Sequence, residues 1–249
     1  MAEEKKFPTE VIDLQSEGKL YPKEHPCSNG KIELKYMTAK EEDILTSQNL
    51  IKKGVVIDMV LNSLIVTEGV KCDDLILGDK NAVMVAARIL AYGPEYQAEV
   101  IDPTTGNKTT HTFNLAECPF RKLPEGASTN EFEFKLPISK KKVKYRILTG
   151  KQEQEILGEL KANSKLGQQV SKDITTRLRH TIVSVDGEDS PGFIAEFVNN
   201  MLAQDSKAFR SQIKSIAPDI EMEQEVEMGG ETVKVNIPMT VNFFWPKTN

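Results

Sequence analysis

The sequence predicts an α+β protein built from two diverged repeats, each running strand, helices, β-hairpin. Three observations predict it. The stretch IELKYMTAKEEDIL at 32–45 has an echo, VKYRILTGKQEQEIL, at 143–157. Ile32, Leu34 and Tyr36 alternate in the first, and Val143, Tyr145 and Ile147 in the second, the period-2 pattern of a half-buried strand. Each strand then meets a capping box, Thr38-Ala39-Lys40-Glu41 or Thr149-Gly150-Lys151-Gln152. There the Thr hydroxyl can accept from the third amide while the Glu or Gln side chain returns to the cap amide. Finally, Asp79 followed by Val83, Ala87 and Leu90 is matched by Asp205 followed by Phe209, Ile213 and Ile216, at the same spacings. Both runs stop at a proline, Pro94 or Pro218. Two templates recurring in one order predict an internal duplication with approximate two-fold symmetry.

Taken in order, residues 1–31 are polar and turn-rich. Ser16 to Pro22, followed by His25-Pro26-Cys27, predicts an extended arm, because a residue before proline is pushed away from the helical region. Such an arm either packs on its own domain or reaches a neighbour. Ile51, Val55, Met59 and Val60 predict one core-facing helix over 51–66. Asp79 is expected to cap the next helix, with Gly93-Pro94 ending it. A hairpin over 98–115 turns at Asp102 to Gly106. Residues 116–131 are rich in loop formers and predict a connector, so the repeats divide into 1–130, which carries the arm, and 131–249.

In the second repeat Phe132, Phe134 and Leu136 alternate as a strand. Val170, Ile174, Leu178 and Ile182 predict a largely helical 160–184, and Ser190-Pro191 a cap with proline at the first helical position. Phe193, Phe197 and Met201 are expected to line one face of that helix, and Asp205 to cap the following one. A hairpin over 226–237 turns at Gly229-Gly230, and Val241, Phe243 and Trp245 predict a last aromatic strand closing at Pro246. Alternation would leave Phe244 on the opposite face.

Composition narrows the function classes. The chain has 249 residues, 39% hydrophobic and 28% charged, ample for a sizeable core. A net charge of −5 argues against nucleic acid as the main partner. Three scattered cysteines, Cys27, Cys72 and Cys118, argue against a disulfide framework. The N-terminal stretch MAEEKKFPTEV has no apolar core of a signal peptide, and the apolar run at 55–66 is too short to span a bilayer. Synthesis in the cytoplasm and no membrane partner are expected.

No catalytic constellation is legible. His25 with Cys27, and His111 with Cys118, lack a second pair at zinc-ligand spacing. His180 lies in a charged helical stripe, and there is no P-loop or dinucleotide fingerprint. No catalytic, cofactor or metal residue is therefore expected, and an enzyme would need a polar pocket gathering Asp79, Arg88 and a histidine. The strongest surface candidates are Tyr21 and Pro22 in the arm and Phe243, Phe244, Trp245 and Pro246 at the aromatic end, since aromatics dominate interface energies.

The segments LQSEGKLYP at 14–22, MTAKEEDIL at 37–45 and YGPEY at 92–96, with PDI at 218–220 and FFWP at 243–246, form a familiar combination. Together they resemble the baseplate hub proteins of T-even-type contractile-tailed phages, including the small subunit grouped with hub assembly factors. The resemblance covers most of the chain through short motifs. It implies a non-enzymatic assembly or structural protein of the virion tail, made in the host cytoplasm, whose partners are other baseplate hub or tail proteins. A transient assembly chaperone, absent from the mature virion, is the alternative it leaves open. Some relatives carry Cys pairs at the two hairpins, suggestive of zinc knuckles; here those turns read DPTTG and MGGE, so no zinc is expected.

The capping boxes yield a first test. Thr38→Ala and Thr149→Ala should each lower stability by about 0.5–2 kcal/mol in urea unfolding; unchanged stability in both would count against the boxes.

Overall fold

The computed structural model describes residues 7–101, 106, 108–165, 171–228, 230–239 and 241–244. It is an α+β protein of helices and small antiparallel sheets. β1 (Thr9–Asp13) pairs with β2 (Lys31–Lys35), Val11 facing Glu33. α1 (Ala39–Thr46) follows its predicted cap. Glu41 accepts the Thr38 amide at 2.9 Å and the Thr38 hydroxyl at 2.7 Å. Burial raises the Glu41 pKa, but hydrogen bonds from Ser63, Thr38 and Lys35 outweigh it and bring the group down to about 2.

The single helix expected over 51–66 is two. α2 (Gln48–Lys53) ends at Gly54, whose φ of +76° lets its amide reach back to the Leu50 and Ile51 carbonyls. α3 (Val56–Leu64) then starts in a new phase. It buries Val56, Val60, Leu61 and Leu64 and leaves Met59, expected inside, 43% exposed.

α4 (Leu77–Tyr92) stops at Gly93 as expected. β3 (Glu95–Ile101) and β4 (Lys108–Asn114) form the first hairpin, and of the turn predicted at Asp102 to Gly106 the first four residues lie outside the described residues. The expected connector contains a two-residue strand, β5 (Phe120–Arg121). β6 (Phe132–Lys135), the strand expected from Phe132, Phe134 and Leu136, pairs antiparallel with β7 (Lys142–Tyr145). The Thr149 amide bonds Gln152 at 2.9 Å, and α5 (Gly150–Lys165) follows.

The helix expected to reach 184 stops earlier. α6 (Asp173–Thr181) gives way to β8 (Ile182–Val185), third strand of a sheet ordered β6-β7-β8. Ile182, Val183 and Val185 are β-branched and fit the pleat beside β7, so a partner strand overrides the four-residue spacing. Val170 lies outside the described residues.

α7 (Pro191–Asn199) begins at the predicted proline, but Ile194 and Val198 are its buried face while Phe193 is 37% exposed. α8 (Ala203–Ile216) leads to β9 (Asp219–Ile220), which pairs with β5. β10 (Glu223–Met228) and β11 (Glu231–Asn236) form the second hairpin, with Gly229 outside the described residues. Residues Val241–Phe244 make a 3-10 turn rather than the expected strand. Phe243 and Phe244 are therefore both fully buried instead of lying on opposite faces. Trp245 and Pro246 lie outside the described residues.

Neither aspartate is the N-cap. Ile76 and Leu202 hold those positions, and Asp79 and Asp205 each stand third in their helices, fully buried or nearly so. Each carboxylate accepts backbone amides from the link between the first two strands of its half. Asp79 takes Ser16 at 2.8 Å; Asp205 takes Ile138 at 2.8 Å and Ser139 at 3.0 Å.

The apolar residues form two cores, and they divide the chain differently from the expected boundary at 130/131. The first contains residues from Leu14 to Cys118 and also Ile220, Met228, Val235, Phe243 and Phe244. The second runs from Leu136 to Ile216 and takes in Leu20 and Ile76. Both hairpins thus belong to the first core. The chain end returns to it because β9 pairs with β5 and because α4 approaches so closely that a side chain on Gly78 would run into the Pro218 carbonyl.

That contact is testable. Gly78→Ala should cost about 1–3 kcal/mol or more through overpacking against backbone. Gly158→Ala, which faces open space in α5, should instead stabilise by about 0.4–1 kcal/mol in the same urea measurement.

Candidate functional site

The arm is the first candidate surface, and it begins as a buried problem. A carboxylate removed from water needs partners, or its burial costs several kcal/mol. Asp79 finds them in the arm: the Ser16 amide at 2.8 Å, the Ser16 hydroxyl at 2.6 Å and the Tyr21 hydroxyl at 2.7 Å. The Tyr21 oxygen in turn accepts the Ile76 amide at 3.0 Å. Between them Gly18 sits at φ +76°, and a Cβ there would come within 2.5 Å of the Gly30 nitrogen, so only glycine closes this turn. Leu14 enters the first core and Leu20 the second, which makes the arm a strap across both.

Electrostatics follow from burial. Desolvation raises the Asp79 pKa against the hydrogen bonds from Ser16 and Tyr21 that lower it. Burial and the adjoining carboxylate push the Tyr21 phenol far up, holding it protonated as a donor. Asp205, in the corresponding place, shifts the other way, because the amides of Ile138 and Ser139 outweigh its burial.

Tyr21 stacks on His25 with ring centroids 4.7 Å apart, and the exposed Pro22 lies between them in sequence. All three border a cleft of about 780 Å³ between the arm, the 128–131 segment and the start of α5. Arg146 and Lys151 reach its rim, as do Asp73, Asp74 and Glu131. The mixed charges suit a polar protein surface better than a single small anion.

Of the C-terminal candidates, Phe243 and Phe244 are buried in the first core. Arg88, 2% exposed, spends its guanidinium on backbone carbonyls: Phe243 at 2.9 Å, Gly93 at 3.0 Å and Glu95 at 3.1 Å. It also lies 5.1 Å from the Tyr92 ring centroid and 5.7 Å from that of Tyr96. Phe243 packs on Tyr96 at 5.0 Å and Phe244 edge-on to Phe243 at 5.7 Å. Arg88 thus ties the chain end to the corner where α4 meets β3. Asp79, Arg88 and a histidine do not line a common cleft among those described.

Elsewhere the reactive side chains are subdued. Burial raises the Cys27 thiol to about 11 and the Cys72 thiol to about 12, and raises Cys118 as well, so none is a thiolate at neutral pH. Asp58, Cys72 and Asp73 approach one another within 4.8 Å, a spacing that metal ligands use. The Lys80 ammonium already sits there, 2.6 Å from Asp58 and 3.8 Å from Asp73, and the Gln154 amide donates to Asp58. The cluster reads as an ion-paired joint between α3, α4 and α5. No described helix is long and apolar enough to cross a membrane.

Sequence reasoning placed Tyr21 and Pro22 in an extended arm, whereas residues 15–20 form turns and Pro26–Asn29 a 3-10 helix, because Asp79 draws Ser16 and Tyr21 inward. It also missed Asp79 and Arg88 as the anchors of this segment and of the turn at Phe243. One signal was available: a charged residue in the middle of Ala86-Ala87-Arg88-Ile89-Leu90 must find acceptors wherever that helix is buried. Comparison with protein-family models, curated proteins and solved structures finds no match.

The Asp79 environment predicts a pH dependence. Its folded pKa is raised above the unfolded value, so its contribution to stability is full below the unfolded pKa and is lost as pH rises through the folded one. Asp79→Asn removes that titration. Urea unfolding from pH 4 to 8 should show the wild type losing ground to the variant as pH rises; parallel curves would contradict it.

Proposed function

We propose that the chain is an assembly protein of a phage baseplate hub that works by docking onto other hub or tail proteins, without catalysis. The observation that carries the docking part is the state of its sheet edges. Four of the five sheets among the described residues have two strands only. In both hairpins the apolar residues, Tyr96, Ala98, Val100 and Phe113 on one and Met228 and Val235 on the other, are buried in one core. The outward faces carry Glu95, Gln97 and Glu99, and Glu223, Glu225 and Glu227, all exposed. No further described strand joins either hairpin. Such edges are sites for strand addition, and charge on them discourages indiscriminate pairing.

The phage assignment rests on the sequence resemblance carried by the arm, the first capped helix and the chain end. Those are also the segments that the buried bonds of Asp79, Glu41 and Arg88 hold in place. A protein of this kind acts in the host cytoplasm, where hubs are put together.

Tagged protein recovered from infected cells should bring down other hub proteins, and loss of its gene should leave tails unassembled. Tails that assemble normally without it would overturn the reading. Mass spectrometry of purified particles then distinguishes a retained subunit from a factor that leaves before maturation.

A further inference from the structure

β1 is an edge strand with an apolar groove beside it. The Pro8 carbonyl accepts the Tyr36 amide at 3.1 Å, and the Leu14 amide donates to Gly30 at 2.8 Å. Even-numbered residues of β1 therefore make the bonds to β2. In an antiparallel pair the residues between them aim their N–H and C=O the other way. For Val11 and Asp13 that is the side on which no described strand lies. A groove of about 440 Å³ runs alongside, with residues 11–15 on one wall and Val85, Ile89 and Phe120 on the other. Val11 is 56% exposed and Phe120 54%. Phe7, two residues before β1, remains 41% exposed although the Lys35 ammonium lies 5.3 Å from its ring centroid.

We propose that this edge receives the same edge of a second copy of the chain, antiparallel about a two-fold axis through Val11. The register is self-complementary. Val11 faces Val11 of the second copy, Thr9 faces Asp13, and Glu10 faces Ile12, so no carboxylate opposes a carboxylate. Centring on Asp13 would instead bring two carboxylates together. The chosen register carries Phe7 of each copy to Gln15 of the other, a residue of the groove wall. The contact is isologous, so each of these interactions occurs twice and the assembly closes as a dimer. Main-chain bonds along the edge supply affinity and the ring in the groove supplies selectivity.

Sedimentation equilibrium of the full chain tests this. Particles of two 27.9 kDa chains are expected at high concentration. Val11→Pro removes an N–H that β2 does not use, and proline is tolerated on the open side of an edge strand. Circular dichroism should therefore be unchanged while the dimer weakens at least about tenfold. Phe7→Glu, outside the strand, should weaken it as well. Under mild oxidation Val11→Cys should form an intermolecular disulfide, since hydrogen-bonded residues facing each other lie about 5.5 Å apart. The native thiols are buried and should not contribute. Asp13→Cys should stay unlinked, its two copies lying about 13 Å apart along the strands. A monomer at on the order of 100 µM, a dimer indifferent to both Val11→Pro and Phe7→Glu, or linkage through Asp13→Cys ahead of Val11→Cys overturns the proposal. So does a monomer that binds a synthetic peptide of alternating Val and Thr at this edge, which would assign the edge to another protein's strand.

Discussion

A carboxylate sealed from water at the start of α4 governs how this chain is put together. Asp79 has no basic partner among its hydrogen bonds; it is satisfied by one amide and two hydroxyls from residues 58–63 positions earlier. Meeting that demand draws the arm across the molecule. Leu14 then falls into one core and Leu20 into the other. Asp205 does similar work in the second half, but with backbone amides from the link between β6 and β7. Asp79 lies deep enough for desolvation to prevail and raise its carboxyl, whereas Asp205 lies nearer the surface and the amides of Ile138 and Ser139 prevail and lower it.

The second organising contact is Arg88. A buried guanidinium with three carbonyl acceptors and two aromatic neighbours makes the last described turn part of the first core. Together with the β5–β9 pair and the close approach at Gly78, it returns the C-terminal segment to the N-terminal half. The two halves use matching local devices, a returning cap and a buried third-position aspartate, yet they share their hairpins in one core. The charged hairpin faces and the groove beside β1 are among the surfaces left outward.

Much of the local structure was legible. The capped starts of α1 and α5, the proline start of α7, the glycine end of α4 and both hairpins all rest on interactions within a few residues. The failures share a cause. Gly54 breaks a helix that apolar spacing alone would continue, and Ile182 joins a strand because β7 lies beside it. Phe244 is buried because the chain end turns in a 3-10 helix against Tyr96 and Arg88. In each case a backbone conformation or a distant neighbour outweighed the period of the side chains.

The sequence by itself determined the α+β class and the capped starts of α1 and α5, because such features follow from short-range hydrogen bonding and alternation. Only the tertiary structure decided what Asp79 and Arg88 do, where the cores divide, and that Phe243 and Phe244 are core rather than surface. Those outcomes depend on groups brought together from up to 155 residues away. A residue's own neighbours in sequence carry no record of which distant carbonyl or hydroxyl will satisfy it once water has been excluded.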